Sequence, residues 1–192
     1  TIFAIGRDAG VPHSSGNAAD LMRLGQTIVY DIFPCESGGG YYHDLTRTWC
    51  LGYAPDEVLA LYEDVRGVFD TVVSELKAEV HYGVYQQRTC ELFEQKGHPT
   101  VLKDPQTEEG YVHSVGHGVG LHIHERPFSG VGAPPDDILA PGGIITIEPG
   151  LYYPSRGMGV RLENTYWIRP DGGFETLVNP SMDLVLPVKG SR

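Results

Sequence analysis

The sequence predicts an α+β fold, with strands at both ends of the chain and two helices in the middle. Three observations support it. The first fifty residues contain short apolar and β-branched runs, the middle shows helical periodicity, and GGIITIEPGLYYPSRGMGVRLENTYWI at 142–168 is rich in β-branched and aromatic residues. No low-complexity tract or long linker interrupts this order, so we expect one domain over residues 1–192.

The amino-terminal part reads as strands and turns. TIFAI at 1–5 and GQTIVYDIF at 25–33 are short apolar runs, the second ended by Pro34. ESGGGYYHDLTRTWCLG at 36–52 places a glycine turn before an aromatic and β-branched run, which indicates a hairpin.

The middle of the chain predicts two helices. In 54–77 the apolar residues recur with a period of 3.6 residues. Two acidic residues lie near the amino end of this segment, where the helix dipole favours negative charge. These apolar positions are Val58, Leu61, Val65, Phe69, Val72 and Val73. A second helix is predicted over VYQQRTCELFEQKG, ended by Gly97.

Four of the eight histidines lie in HSVGHGVGLHIHE at 113–125. Its three glycines each weaken a helix by about 1 kcal/mol, so extended chain is expected and a helical H-E-x-x-H zinc site is excluded. In a strand, His122 and His124 would share a face, as in a cupin metal site, but Glu125 follows His124 directly, which disfavours that alternative. GAPPDDILAPGG at 132–143 reads as a loop, and 142–168 as two strands joined across a Pro/Gly/Ser turn.

The composition narrows the function classes. A formal net charge of -11 disfavours nucleic acid as a partner, since phosphate binding needs a basic face. Three cysteines without C-x-x-C spacing disfavour a disulfide framework and favour a reducing compartment. The chain has no apolar run of the roughly 18 residues that a membrane span needs and no signal-peptide layout at its start. We therefore expect a cytoplasmic protein without a membrane partner.

Four acids stand in strand-like apolar runs: Asp31, Asp44, Glu148 and Glu163. A carboxylate in such surroundings is costly unless it is paired, hydrogen-bonded or bound to metal, so each either pairs with a base such as Arg47 or Arg161 or joins a metal site. Four carboxylates would balance two divalent ions. With one imidazole they suit Mn, Co, Fe or Zn, and bridging carboxylates would hold the ions about 3.5–4 Å apart.

These residues resemble the pita-bread metallopeptidases, which include methionine aminopeptidase, aminopeptidase P and prolidase. The matching segments are DIFPCESGGGYYHDLTRTW, HSVGHGVGLHIHE, TIEPGLYY and VRLENTYWI, in family order. The resemblance implies a curved, mostly antiparallel sheet backed by helices, in a catalytic domain without the amino-terminal helices. It implies that the metal ligands are Asp31, Asp44, His117, Glu148 and Glu163.

The details are similar to the proline-specific branch. His113, DLTRT and Arg161 resemble aminopeptidase P and prolidase more than methionine aminopeptidase. The resemblance implies two divalent ions, manganese first with Co, Zn or Fe as alternatives, and short proline-containing peptides as substrates. A metal-bridging hydroxide would attack the carbonyl before proline, with Glu148 as general base.

The resemblance also implies substrate contacts. His124 would steady the oxyanion, and His13, His113 and Arg161 would line the side that holds the proline and any following carboxylate, with Tyr152 near the metals. His122 and His43 match no functional position. His117 and His124 are seven residues apart, which puts them on opposite faces of a regular strand, so both reach one cavity only if Gly118 and Gly120 make the backbone irregular.

Two departures from the family pattern carry further expectations. The spacing from Asp31 to Asp44 is longer than usual, so ESGGG is predicted to bulge or reach toward the substrate mouth. The chain begins about where the family's first strands begin, which predicts a fragment or truncated relative with an apolar face that is uncovered or covered by a second copy, as in a homodimer. Alternative functions are a methionine-aminopeptidase-like enzyme, a creatinase-like metal-free hydrolase and a non-catalytic binding module.

Overall fold

A computed structural model describes residues 1–189 and contains two helices, eleven strands and two short 3₁₀ turns within that range. The helices are α1 (Asp56–Glu75) and α2 (Gly83–Gln95). The strands are β1 (Ile2–Ile5), β2 (Thr27–Ile32), β3 (Leu45–Leu51), β4 (His117–Gly118), β5 (Glu125–Phe128), β6 (Ile144–Ile147), β7 (Gly150–Tyr153), β8 (Met158–Arg161), β9 (Asn164–Ile168), β10 (Phe174–Thr176) and β11 (Val185–Leu186).

The first sheet has the order β1-β2-β3-β11. The predicted amino-terminal strands and hairpin are confirmed, because β2 pairs antiparallel with both β1 and β3. Along β2, Val29 and Asp31 alternate with Ile28 and Tyr30, so the carboxylate lies on the opposite face from the aromatic ring. The chain returns at its end to add β11 parallel to β3, a strand that the sequence reading missed.

The second sheet has the order β10-β9-β6-β4-β5, and β7 and β8 form a separate ladder. The prediction of two strands over 142–168 is wrong in number, because the structure has four strands there: β6 pairs with β9, and β7 pairs with β8. Pro149 has no N–H to donate to a ladder at the first interruption. At the interruptions the N–H of Glu148 donates to the Val115 carbonyl and that of Glu163 to the Thr46 carbonyl.

Both helices lie where the periodicity predicts them. Helix α1 buries Val58, Leu61, Val65 and Phe69 and packs against α2, β7 and β8. Each such side chain contributes about 1.5–3 kcal/mol when fully buried, so this stripe holds the helix to the sheet behind the candidate site. The helices in the described part of the chain include none that is long and apolar enough to cross a membrane.

A row of aromatic side chains lies on the face of the first sheet opposite Asp31. The Tyr30 and Trp49 rings stack with centroids 5.5 Å apart, and Phe3 meets Tyr30 edge-on at 5.8 Å. Phe3 is 39% exposed and the other two are half-buried. This row is the candidate for the incompletely covered apolar face that the sequence predicts.

Candidate metal centre

Two acids of the candidate centre come from the first sheet. Asp31 lies near the end of β2, opposite Thr46 of β3, and Asp44 lies one residue before β3 begins. Both carboxylates are buried. The β2–β3 hairpin therefore brings them to the same end of the ladder, as the sequence predicts.

Two further acids come from the interruptions of the second sheet. Glu148 follows β6 and Glu163 precedes β9, and the last pair of that ladder joins Ile147 to Asn164. The Thr46 hydroxyl donates to Glu163 Oε2 at 2.7 Å. Sequence analysis assigned no role to Thr46, although its period-2 spacing from Asp44 was a signal that could have identified it.

His117 of β4 faces these acids. Its Nε2 lies 3.3 Å from Glu148 Oε1 and 3.7 Å from Asp44 Oδ2. Its Nδ1 lies 2.9 Å from the Gly118 carbonyl, which can only accept, so the proton is assigned to Nδ1 in the neutral ring. In the neutral ring Nε2 then presents its lone pair toward the space between the carboxylates, as in a metal-binding imidazole with an oriented outer nitrogen, and in the protonated ring the same nitrogen donates to Glu148.

The donor atoms fit a cation. Asp44, His117 and Glu163 each offer one ligand atom, and these atoms all lie within 4.8 Å of one another. Three carboxylate oxygens are buried without a hydrogen-bond partner among the described residues: Asp31 Oδ1, Asp44 Oδ1 and Glu163 Oε1. Buried, unpaired carboxylate oxygens are costly, and a divalent ion would compensate them.

The pKa shifts also show that these buried carboxylates are costly to ionise together. Burial, and then the charge of Asp31 and Glu148, raises the pKa of Asp44 to about 8. Burial, and then Asp44, raises the pKa of Glu163 well above its usual value. Burial opposes ionisation of Glu148 as well, but the hydrogen bond from His117 and nearby positive groups outweigh it and lower its pKa to about 2. The four acids therefore cannot all ionise cheaply without cations.

A hydrogen-bonded chain links Asp31 to the interior. Arg161 donates from Nη2 to Asp31 Oδ2 at 2.7 Å and from Nη1 to the Tyr152 hydroxyl at 2.8 Å. The Tyr152 hydroxyl lies 2.8 Å from His113 Nε2, and His113 Nδ1 lies 2.7 Å from the Ser114 carbonyl. Because that carbonyl fixes the proton on Nδ1, Tyr152 donates to Nε2. Burial lowers the pKa of His113 to about 4, so this histidine is neutral near pH 7.

Arg161 thus forms an ion pair with Asp31, one of the four acids found in apolar runs. This is the pairing that the sequence offered as an alternative to metal binding. Arg47 does not pair with a carboxylate. It donates to the backbone carbonyls of Thr46, Glu163, Pro180 and Ser181 and to the side chain of Asn164. Arg47 therefore ties the carboxy-terminal segment to the strands that carry the acids.

The histidine-rich stretch at 113–125 is irregular. The ladder between β4 and β5 shifts register between His117 and Gly118, and residues 121–124 form bends rather than strand. The extended chain expected for this stretch is therefore wrong at 121–124, and the strand geometry that the cupin alternative needs for His122 and His124 is not formed. The His117 and His124 rings lie edge to face with centroids 4.4 Å apart, so the structure brings both to one cavity. A Cβ on Gly118 would overlap the Arg126 backbone, which explains the need for glycine.

One cavity collects nearly all the predicted site residues. It is lined by Ile2, His13, Asp31, Phe33, Asp44, His113, His117, Ile123, His124, Glu148, Arg161 and Glu163. Tyr152 is fully buried behind this wall, and His13 and His124 are exposed at its rim. His122 and His43 are not among the lining residues. The apolar lining residues Ile2, Phe33 and Ile123 carried no chemical signal in the sequence.

The long connection between Asp31 and Asp44 contributes Phe33 to the lining of this cavity. Cys35 and Tyr42 form an isolated bridge across it, and the Tyr42 N–H donates to the Gly120 carbonyl at 2.9 Å. Gly38 and Gly39 adopt positive φ with no neighbour near their Cα positions, so the tip projects into solvent. This position agrees with the bulge predicted at ESGGG.

Comparison with known proteins gives consistent matches. The sequence matches the family described as metallopeptidase family M24 over residues 1–170. It is 30% identical over 191 residues to the probable dipeptidase PepE of Mycobacterium tuberculosis, covering 97% of this chain and 46% of the relative. It is 31% identical over 175 residues to the Xaa-Pro dipeptidase of Pyrococcus furiosus, covering 90% of this chain and 45% of the relative.

The fold has close structural relatives as well. The prolidase from Pyrococcus horikoshii superposes with a TM-score of 0.82 at 28% identity, covering 96% of this chain and 48% of that chain. The chain thus spans about half the length of the relatives it matches.

Proposed function

Because this chain belongs to metallopeptidase family M24 and has the pita-bread fold of prolidases, we propose that it hydrolyses the peptide bond before proline in short peptides. The observation that carries the proposal is the convergence of Asp44, His117 and Glu163 around buried, unpaired carboxylate oxygens. The substrate class follows the printed names of the relatives, an Xaa-Pro dipeptidase and a prolidase.

We assign the metal ligands to Asp31, Asp44, His117, Glu148 and Glu163, holding two divalent ions. Four carboxylates and one imidazole form a borderline-hard donor set, which suits manganese first and Co, Zn or Fe as alternatives. When bound, such ions polarise a carbonyl and make a water reactive near neutral pH.

The chain's own residues then handle protons and substrate. Glu148 is the candidate general base, because its low pKa keeps it ionised and able to accept a proton at neutral pH. His124, at the rim and close to His117, is placed to donate a hydrogen bond to the oxyanion; burial and His117 lower its pKa, so the ring is neutral. His13 is assigned to substrate at the same rim.

The buried chain behind the cavity supports these groups. Arg161 contacts Asp31 directly, and Tyr152 connects Arg161 to His113. In this proposal His113 borders the substrate, and Tyr152, which is buried behind the wall and not in the cavity as the sequence reading expected, helps to keep Arg161 and Asp31 in one orientation. Since His113 accepts from Tyr152 only while its Nε2 is unprotonated, the low pKa of His113 maintains the chain across the working range.

Metal analysis and peptide hydrolysis test the proposal together. Protein prepared with Mn²⁺ should hold about two equivalents and cleave Ala-Pro-Ala before proline, while Ala-Ala-Ala remains intact. Glu148→Gln is the catalytic variant, and Glu108→Gln, on a distant loop, is its matched control. Absence of metal after supplementation, or equal cleavage of both peptides, would refute the proposal, and the first result would favour the creatinase-like or binding-module alternatives.

Three broader assignments stand with this proposal. We propose that residues 1–192 form one catalytic domain, which limited proteolysis would test. The three cysteines of the chain are free, in keeping with the proposed cytoplasmic location. A homodimer that covers the aromatic row of Phe3, Tyr30 and Trp49 is the proposed assembly, and the solution mass would decide it.

A further inference from the structure

We propose that this site prefers peptides that continue beyond the proline, or end in a neutral amide, over free Xaa-Pro dipeptides. The inference rests on the proposed function and adds the substrate class. The distinguishing group is the carboxylate that an Xaa-Pro dipeptide carries on its proline. Recognition of that group in a largely enclosed site requires a positive charge or several hydrogen-bond donors that are free to turn toward it.

Among the described residues, Arg161 is the single lysine or arginine that lines the cavity. Its guanidinium is already committed. Nε donates to the Thr46 hydroxyl at 3.0 Å, Nη1 to both the Tyr152 hydroxyl and the Pro12 carbonyl, and Nη2 to Asp31. Its side chain is only 4% exposed, so it forms part of the wall and its charge is matched to Asp31.

The histidines of the cavity do not replace it. Both ring nitrogens of His113 are occupied, and burial lowers its pKa to about 4. The His124 ring packs edge to face against His117, a proposed metal ligand, with ring centroids 4.4 Å apart. His13 stands at the rim on a loop that Arg161 holds through the Pro12 carbonyl. An imidazole whose two ring nitrogens are already hydrogen-bonded, as in His113, offers neither a free donor nor a charge to a carboxylate.

Charge at the site leads to the same conclusion. Four carboxylates and one guanidinium leave three negative charges, and two divalent ions would leave one positive charge that belongs to the buried Arg161. The remaining lining residues Ile2, Phe33 and Ile123 are apolar. The whole molecule carries a net charge of -11, which adds long-range repulsion. The four carboxylates that would hold the metal ions balance their charge, so a dipeptide carboxylate would lose water without gaining a free side-chain cation, whereas a peptide bond or amide in its place carries no charge to desolvate.

The first experiment compares three substrates that share the scissile bond: Ala-Pro, Ala-Pro-amide and Ala-Pro-Ala, with the manganese-loaded protein at pH 7.5. We expect kcat/KM for Ala-Pro to be roughly tenfold or more below the other two. The deficit should shrink as salt rises from about 0.05 to 0.5 M, because screening weakens the repulsion of the carboxylate. Equal or faster cleavage of Ala-Pro would overturn the inference alone. Cleavage of none of the three would overturn the proposed function and the inference with it.

The second experiment restores the missing charge. Phe33 lines the cavity and is 36% exposed, so Phe33→Lys places an ammonium at the rim, and Phe33→Gln is its uncharged control. We expect the Lys variant to lower KM for Ala-Pro relative to Ala-Pro-amide by about tenfold, and the Gln variant to leave that ratio unchanged, at equal metal content. Equal ratios in the two variants would contradict the inference. Arg192 lies outside the described residues and serves as a further control. Arg192→Ala in the parent protein should leave the ratio of kcat/KM between Ala-Pro and the longer substrates unchanged.

Discussion

Replacement of Asp44 by asparagine should stabilise the metal-free protein while removing its response to metal. Asp44 is buried, its Oδ1 has no hydrogen-bond partner, and it lies near two further acids. Asparagine keeps the shape and removes the charge. The gain should grow with pH, because the pKa of this carboxyl is about 8 in the folded protein and 3.8 in an unperturbed aspartate, as in the unfolded chain.

The sign and size follow from that difference. Between these two pH values the folded state binds a proton that the unfolded state has released, so this group makes the protein less stable as pH rises toward 8. About four pKa units at 1.36 kcal/mol each set an upper limit on the order of 5 kcal/mol at pH 8. The loss of attraction between Asp44 and His117 offsets part of it, so we expect a gain of about 2–3 kcal/mol, or roughly 4–12 °C in Tm. Near pH 5 the gain should be much smaller.

Thermal unfolding in EDTA and in Mn²⁺, at pH 5 and pH 8, measures both effects. The parent should gain Tm on addition of metal, and Asp44→Asn should gain little. Asp20→Asn removes the same charge from an exposed loop and should change stability by no more than about 0.5 kcal/mol in any condition. A variant that is less stable than the parent at pH 8 in EDTA, or that gains as much Tm from Mn²⁺ as the parent, would refute the reasoning.

Three further predictions concern the same region. His117→Ala should lower both the metal content and the rate of hydrolysis. His124→Ala should keep its metal and lose about 10²–10³ in kcat, with a smaller change in KM. Loss of metal from the His124 variant would show that the roles assigned to the two histidines are reversed. Gly118→Ala should lower the free energy of unfolding by about 1–3 kcal/mol, because its Cβ would meet the neighbouring strand. Gly67→Ala, in open space on α1, should raise the free energy of unfolding by about 0.5–1 kcal/mol. Urea unfolding measures both values, and similar shifts in the two variants would contradict the packing argument. Tyr152→Phe leaves a buried guanidinium with one partner fewer and should cost about 1–3 kcal/mol in the same assay, so an unchanged midpoint would show that the hydroxyl is dispensable.

The sequence was sufficient wherever a local pattern determines structure. The 3.6-residue period placed α1 because burial of one stripe requires that spacing, and the apolar run around Asp31 placed β2. The unfavourable position of an acid in such a run also singled out the four acidic candidate ligands, since the cost of a buried charge is visible from its neighbours alone, whereas His117 was assigned through the family resemblance.

The rest depended on contacts between distant segments. The strand interruptions at Glu148 and Glu163 exist because their N–H groups pair with Val115 and Thr46, which no local pattern reveals. The strand β11 consists of two residues and is set by its parallel pairing with β3. Likewise, the commitment of Arg161 to four acceptors became visible only in three dimensions.

The distribution of the candidate ligands over two sheets has a consequence for the order of folding. Asp31 and Asp44 belong to the first sheet, and the other three belong to segments of the second, with both helices between them in the chain. No amino-terminal portion of the chain that emerges early in synthesis holds the full set, so the earliest acids cannot capture an ion in the intended geometry by themselves. Contacts so far apart in sequence form late, after loop closure has been achieved. The centre therefore becomes competent for metal only at the end of folding, when the two sheets have docked.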